Sequence, residues 1–392
     1  MGILSGITIL DLSRIFAAPF ATQMLSDLGA KVWKIESFAG DDSRRWGSHV
    51  FDAYNRGKKS LSLNLKDVRA QEILQRLAAK SDVFVENFKT GDMERYGLSY
   101  PLLSRTNPRL IYLSLTGFGN TGPRSGDPGY DTVIQAMSGI MSLTGDAGGP
   151  PTRVGVAWID VMSGLVSVIA ILSALVERGT SGHGQHIDLS LFDVGMMALA
   201  DAAQAYLKHG QVQQRVGNVT RNISPAQVFR TADGWIVIAI GNDAQFARLC
   251  QVLGCPGLTG DARFASNPDR VKHRDELNEY IVPLFALHDR DPLLQKMKAA
   301  KIPAGPVFNI DESVGDPQSV AREAIWSIPD EAGAIGKYLA NPLRHLSRTP
   351  ASPSTIPPDL GQHTFEVLSE ELQLDAAEID KLAEAGVIQL RR

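Results

Sequence analysis

Cysteine is almost missing from this chain of 392 residues: Cys250 and Cys255 are too few for a disulfide framework or a four-ligand zinc site. A reducing, cytoplasmic setting is the natural expectation. An excess of positive charge is missing too. With 39 basic and 43 acidic residues the chain has no electrostatic footprint for nucleic acid or an anionic membrane, so any anionic ligand must be held by local charges. The opening MGILSGITIL lacks the basic n-region of a secretory signal, and Gly6 stands where N-myristoylation needs Ser or Thr. The longest uncharged apolar run, Val161 to Val176, is interrupted by serine and glycine, falls short of the ~20 residues a bilayer needs, and reads as a buried helix. Among the eight histidines there is no H-E-x-x-H or other metal spacing, and there is no G-x-S-x-G elbow. Metal hydrolysis and Ser-His-Asp hydrolysis are left without support.

What is present reads as an α/β protein. Short apolar runs, Ile7 to Asp11, Lys31 to Glu36, Lys59 to Leu63, Asp82 to Glu86 and Leu110 to Ser114, alternate with helix-like stretches. One of these stretches, Asp67 to Lys80, sets Val68, Ile73, Leu74 and Leu77 at largely helical spacing. That alternation predicts a parallel sheet with helices on both faces. A helix-like stretch follows from Tyr130 to Leu143, then the long apolar helix and a strand over Gln185 to Leu189. A polar stretch from Arg215 to Pro225 marks a boundary, and Gln227 to Ile240 reads as a hairpin turning at Asp233-Gly234. Near the end, Asp375-Ala-Ala-Glu378 has the form of a capping box and Gly386 that of a helix stop.

Three features bear on chemistry. Gly117-Phe-Gly119-Asn-Thr-Gly122 matches G-x-G-x-x-G, but Pro123, Gly126, Pro128 and Gly129 prolong the loop where a dinucleotide fingerprint must open a helix. Asp160 stands at the start of the apolar helix. It reads either as an N-cap or as a nucleophile kept ionised by the helix dipole, with Gly155 and Gly164 leaving room for an acyl group. Basic residues at Arg44-Arg45, Arg56 to Lys59 and Lys89 to Arg95 lie near strand ends, where they form a solvated face or a phosphate site.

These pieces in this order resemble the family III (formyl-CoA transferase-like) CoA-transferases over nearly the whole chain. The resemblance rests on Leu10-Asp-Leu-Ser13 with Ala18 to Thr22, Asp27 to Val32, Gly40-Asp-Asp42, Asn55 to Ser60 and Asp82 to Phe88. It continues through Gly129-Tyr-Asp131, Asp160 with Gly164, Thr180 to Gln185, Ile302-Pro303 with Gly305-Pro306, and Leu360 to Thr364. It implies a Rossmann-like large domain (1–224, completed by 326–392), an inserted smaller α+β domain (225–325), and an interlocked homodimer. It implies no permanent cofactor and no metal, with coenzyme A as cosubstrate and small carboxylic acids as partners, Asp160 as catalytic residue, and CoA contacts from Ala17, Leu65, Lys66, Asn87, Phe88, Lys89, Arg95 and Tyr130. The implied reaction moves CoA from an acyl-CoA, in look a succinyl-CoA or related dicarboxylyl-CoA, to a free acid through aspartyl anhydride and aspartyl-CoA thioester intermediates.

Departures narrow the reading. Phe16 replaces the glutamine of formyl-CoA transferases, Ser37 replaces an arginine, and their glycine-rich loop is missing before the 227–240 hairpin, all of which counts against oxalate. Tyr130 stands where the racemases of this fold carry histidine, and Ala226 where a tyrosine often follows Pro225. Racemization, intramolecular CoA transfer and CoA binding without turnover remain as alternatives. Arg44, Arg45 and Arg153 are the cations offered to a substrate's distal carboxylate.

Overall fold

Strands apolar on both faces belong to a parallel sheet covered on both sides. A computed structural model, which describes residues 2–330 and 332–391, shows that sheet. β1 (Thr8–Asp11), β2 (Lys31–Glu36), β3 (Lys58–Leu63), β4 (Val83–Glu86), β5 (Ile111–Thr116) and β6 (His186–Ser190) run parallel in the order β3-β2-β1-β4-β5-β6. This is the doubly wound order, and it reverses between β1 and β4, where an open α/β sheet forms its ligand crevice. Register places Asp11 beside both Lys34 and Val85, so β1, β2 and β4 deliver their carboxyl ends to that crevice at nearly one level.

Successive residues point to opposite faces. Ile9, Val32, Val83, Val85, Ile111 and Leu113 pack under the helices Ala17–Asp27 and Trp158–Ser181. Leu10, Trp33, Leu61, Phe84 and Tyr112 pack under the helices Val68–Ala78 and Thr364–Leu372. Asp67 caps the first of this second pair through the Arg69 N–H, and Ile73, Leu74 and Leu77 are its buried stripe, whereas Val68 at its start stays exposed. β7 (Ala226–Arg230) and β8 (Trp235–Ala239) form the expected Asp-Gly hairpin, and β9 (Ala304–Pro306) completes a three-stranded sheet over Phe229, Ile236, Phe246 and Phe285. β10 (Ile325–Pro329) pairs with β11 (Ile335–Leu339), and β12 (Ile388–Gln389) adds antiparallel to β3 just after the Asp375/Glu378 capping box and its helix. The chain divides into two compact units: Met1–Ile140, Val154–Gln204 and Pro317–Arg392 in one, Met141–Arg153 and Ala205–Asp316 in the other.

Two expectations are corrected. The 130–143 stretch is two short helices, Asp131–Met137 and Ile140–Leu143, broken at Gly139, whose φ of +100° belongs to glycine. The long helix covers 24 residues, Trp158–Ser181, and is long and apolar enough to cross a membrane by length and composition, with a mean hydropathy of 2.3 over its most apolar window. It is not a fully buried helix. Ile159, Ser163, Val168 and Ile171 face the core, while Trp158, Leu165, Ile169 and Val176, at spacings of seven, four and seven, form an exposed stripe.

Candidate active site

Two adjoining clefts open at the carboxyl edge of the large sheet. The larger, about 550 Å³, is walled by residues following β1 (Leu12 to Arg14), β2 (Ser37 to Asp42 with Arg45) and β3 (Asn64 to Lys66), and by Phe88 and Tyr96. The smaller, about 190 Å³, is walled by Arg14 to Ala17, Asn87 to Thr90, Gly117, Tyr130, Asp131 and Asp160. Arg14 and Phe88 belong to both, with the guanidinium 4.7 Å above the ring.

Of the nine residues singled out, Asp160, Ala17, Asn87, Phe88, Lys89 and Tyr130 share the smaller cleft, and Leu65, Lys66 and again Phe88 share the larger. Arg95 lines neither; it pairs with Asp92 at 2.9 Å and lies over Tyr96. Arg14 is the residue that sequence reasoning missed, although its place directly after β1 is where the crevice rule points.

Asp160 is not the cap of its helix. The N-cap is Ala157, which has no side chain able to serve, and Asp160 is the third residue of the first turn. The cap comes from elsewhere in the chain: one oxygen of Asp131 accepts from the Ile159 N–H at 2.7 Å and the Asp160 N–H at 3.2 Å, while the other accepts from Gln135 at 2.6 Å. The expectation that the helix dipole keeps Asp160 readily ionised is corrected as well. Burial first, and the Asp131 charge second, push its carboxyl up to about 7. Phe16, Phe20 and Tyr54 form an aromatic group beside this site, with Phe16 and Tyr54 centred 3.9 Å apart. Burial and the Asp160 charge push the Tyr54 phenol up to about 12, so it stays protonated at neutral pH.

Gly164 does not open space for an acyl group. A Cβ there would stand 2.7 Å from a Phe20 ring carbon and 2.8 Å from the Ala17 carbonyl, so glycine lets the two helices approach. Gly117 likewise packs backbone to backbone on Gly129, which accounts for two glycines of the loop without a dinucleotide.

Three residues of the basic clusters, Arg44, Arg56 and Lys58, are neither solvated nor open to phosphate. Lys58 donates to Asp11 at 2.9 Å with both side chains fully buried, Arg56 clasps Asp27 at 2.6 and 3.0 Å, and Arg44 holds Glu36 at 2.7 and 2.8 Å. Arg44 is therefore committed within the fold; Arg45, by contrast, is largely exposed at the larger cleft, and Arg153 falls in the second unit. Among the described residues no group of His, Cys, Asp and Glu has the makings of a metal site.

Comparison with known proteins identifies the family and matches the fold. The model of CoA-transferase family III matches residues 4–364. Succinate–glutarate CoA-transferase of Agrobacterium fabrum is 41% identical, with 94% of this chain and 95% of that protein covered. Acetyl-CoA:oxalate CoA-transferase of Acetobacter aceti is 40% identical over 83% of this chain and 85% of its own length. A crystal structure of a CaiB/BaiF family protein from Brucella suis superposes with a TM-score of 0.88 at 40% identity, covering 94% of this chain and 99% of that one. With a family model spanning nearly all of its length, the chain belongs to CoA-transferase family III.

Proposed function

We propose that this enzyme moves CoA from a succinyl-CoA or related dicarboxylyl-CoA to a second small acid, with Asp160 as the nucleophile. One observation carries the reading: a partly buried carboxyl, raised to about 7, shares a cleft with Ala17, Asn87, Lys89 and Tyr130. That cleft continues past Arg14 and Phe88 into a larger one edged by Arg45 and Lys66. The larger cleft suits the phosphates and adenosine of CoA, and the smaller suits the thioester.

The steps follow from this arrangement. A desolvated Asp160 carboxylate attacks the thioester carbonyl carbon, the C–S bond breaks, and a mixed anhydride and CoA thiolate form. The thiolate attacks Cγ of Asp160 and the donor acid leaves as its carboxylate, giving an aspartyl-CoA thioester. An acceptor carboxylate then attacks Cγ, expels the thiolate and receives CoA through the reverse steps. Each intermediate retains the energy of the thioester, so water must be excluded, and the Phe16, Phe20 and Tyr54 rings support that. Tyr130 lines the smaller cleft at the position where the racemases of this fold carry histidine, which favours transfer over racemization.

The interlocked homodimer, with the 225–325 segment as an inserted domain, is part of the same proposal. The apolar stripe Trp158, Leu165, Ile169 and Val176 supports it by giving a second copy a face to cover. The free thiols of Cys250 and Cys255 are in keeping with a cytoplasmic setting.

The test is transfer from succinyl-CoA to a pool of mono- and dicarboxylic acids that includes oxalate, read by mass spectrometry beside Asp160→Asn. New acyl-CoA masses made by the wild type and lost in the variant, with hydroxylamine trapping an acyl-hydroxamate at Asp160, are the expected result. Turnover that survives Asp160→Asn would overturn the mechanism, and CoA binding without turnover would leave a binding protein.

A further inference from the structure

Ile15 holds a backbone conformation that β-branched residues avoid: its φ is +72°, where Cβ crowds the following carbonyl. Such a conformation persists only where the surroundings impose it. Here the surroundings are ionic. The Ile15 N–H donates to both oxygens of Asp41, at 3.1 and 3.2 Å. Asp41 in turn accepts from Lys34 Nζ at 3.0 Å and from the Ser43 N–H and hydroxyl at 2.9 and 2.8 Å, and the side chains of Lys34 and Asp41 are fully buried. Lys34 also donates to the Ser13 carbonyl at 3.0 Å. From the other side, Asn87 accepts from the Arg14 N–H and donates to the Arg14 carbonyl, each at 2.8 Å. The 13–15 backbone is thus gripped between the loop after β2 and the loop after β4.

The gripped turn builds both clefts. Ile15, Phe16 and Ala17 wall the smaller cleft with Asp160, and the Ala17 carbonyl closes on the helix of Asp160 at Gly164. The loop that carries Asp41 walls the larger cleft with Arg14. We propose that Asp41 is a positioning residue for transfer: by holding Ile15 in the left-handed conformation it sets the Arg14–Ala17 wall against Asp160 and ties that wall to the loop of the larger cleft. The inference deepens the CoA-transfer reading and rests on it. Asp41 touches neither Asp160 nor the reacting atoms in this scheme, so it acts through the walls it holds, its loss falling chiefly on kcat and, through the loop of the larger cleft, secondarily on KM. Glycine adopts the left-handed conformation without strain, so glycine at position 15 removes the part of the Asp41 role exerted on the backbone there, while the buried Lys34 still needs its partner.

The experiment is a double-mutant cycle of Asp41→Asn and Ile15→Gly. It reads kcat and KM for CoA transfer, the dissociation constant of free CoA, and Tm. Asp41→Asn is expected to lower kcat about tenfold or more, with any change in KM and CoA affinity the smaller effect, and to cost much less kcat in the Ile15→Gly background, because the two sites are coupled. Equal fold losses of kcat in both backgrounds would overturn the proposal, as would a loss confined to KM. Should Asp41→Asn fail to fold, Ile15→Gly and Ile15→Ala replace the cycle: alanine is strained at this φ, so the glycine variant must have the several-fold higher kcat, and equal values refute the role. If the wild type moves no CoA, the functional reading has failed instead. The Tm values of the same proteins then decide whether Asp41 and Ile15 are coupled, additive shifts refuting it.

Discussion

Removing the charge of Asp131 while keeping its shape tests the electrostatics of the nucleophile directly. The Asp160 carboxyl rises from an ordinary 3.8 to about 7, with burial the larger cause and the Asp131 carboxylate the second. That distance of about three pH units corresponds to roughly 4 kcal/mol at 1.36 kcal/mol per unit. As the lesser cause, Asp131 accounts for less than half, at most about 2 kcal/mol. Asparagine at 131 retains an oxygen for the Ile159 N–H, so the helix keeps its cap, while the charge and the hydrogen bond accepted from Gln135 are lost. Attack needs the ionised form of Asp160, so kcat/KM, which reports the free enzyme, should rise with pH through a midpoint near 7 in the wild type. In Asp131→Asn the midpoint should move down by about 0.5 to 1.5 pH units, which makes the variant relatively more active near pH 6. A wild-type midpoint near 4, or an Asp131→Asn profile that superposes on the wild type, would refute the account. Stability supplies an independent arm. Because the folded state holds this proton more tightly than the unfolded chain, the Asp160 contribution is fully present below pH 4 and is lost as pH rises through about 7. Asp160→Asn should therefore be more stable than the wild type at pH 8, by up to about 4 kcal/mol and by less where solvent reaches the carboxyl. Urea unfolding at pH 5 and pH 8 measures the difference, which must be larger at pH 8.

Other perturbations follow from the same contacts. Gly164→Ala forces a Cβ to 2.8 Å from the Ala17 backbone carbonyl, which cannot rotate away as a side chain can, and should cost about 1–3 kcal/mol in urea unfolding along with transfer activity; an unaltered midpoint would show that the helices separate freely. Asp11 sits among Lys58, Ser13 and Thr22; burial pushes its carboxyl up, but Lys58 and then Lys34 more than offset this and hold it below the usual range. Asp11→Ala leaves the buried Lys58 ammonium with only the neutral acceptors Pro19 O and Asn55 Oδ1 and should cost about 3–5 kcal/mol, a loss below 1 kcal/mol being the refuting result. Ile169→Glu with Val176→Glu places charge on the exposed stripe and, under the proposed interlocked assembly, should block pairing when the unfolded chain is refolded, light scattering then giving the mass of one chain; a two-chain mass after refolding would count against this face as the interface.

How far these features could be read from the sequence depends on how far apart along the chain the interacting groups lie. Strands β1 to β5, the 67–80 helix, the Asp233-Gly234 hairpin and the Asp375/Glu378 capping box are local, set by period, turn chemistry or a three-residue spacing, and the structure places them within a residue or two of the expectation. Crevice residues such as Ala17, Lys66 and Asn87 come from the family resemblance alone, and Lys89 also from the rule that strand ends line the ligand site. What could not be read are pairings across long separations. Asp160 looks like its own helix cap until Asp131, 29 residues away, is seen to do that work. Lys58 looks like part of a basic patch until Asp11, 47 residues away, neutralises it inside the fold. Gly164 looks like room for substrate until Phe20 and the Ala17 carbonyl fill the space above it. In each case the residue type was informative and its partner was not, because burial turns a solvated charge or a flexible glycine into a fixed contact only after the sheet has brought distant segments together. The same holds for Ile15. No propensity assigns a left-handed φ to isoleucine, and the anchor at Asp41 comes from the loop beyond the next strand, so the constraint that shapes the wall of the Asp160 cleft becomes visible only once β1 and β2 lie side by side.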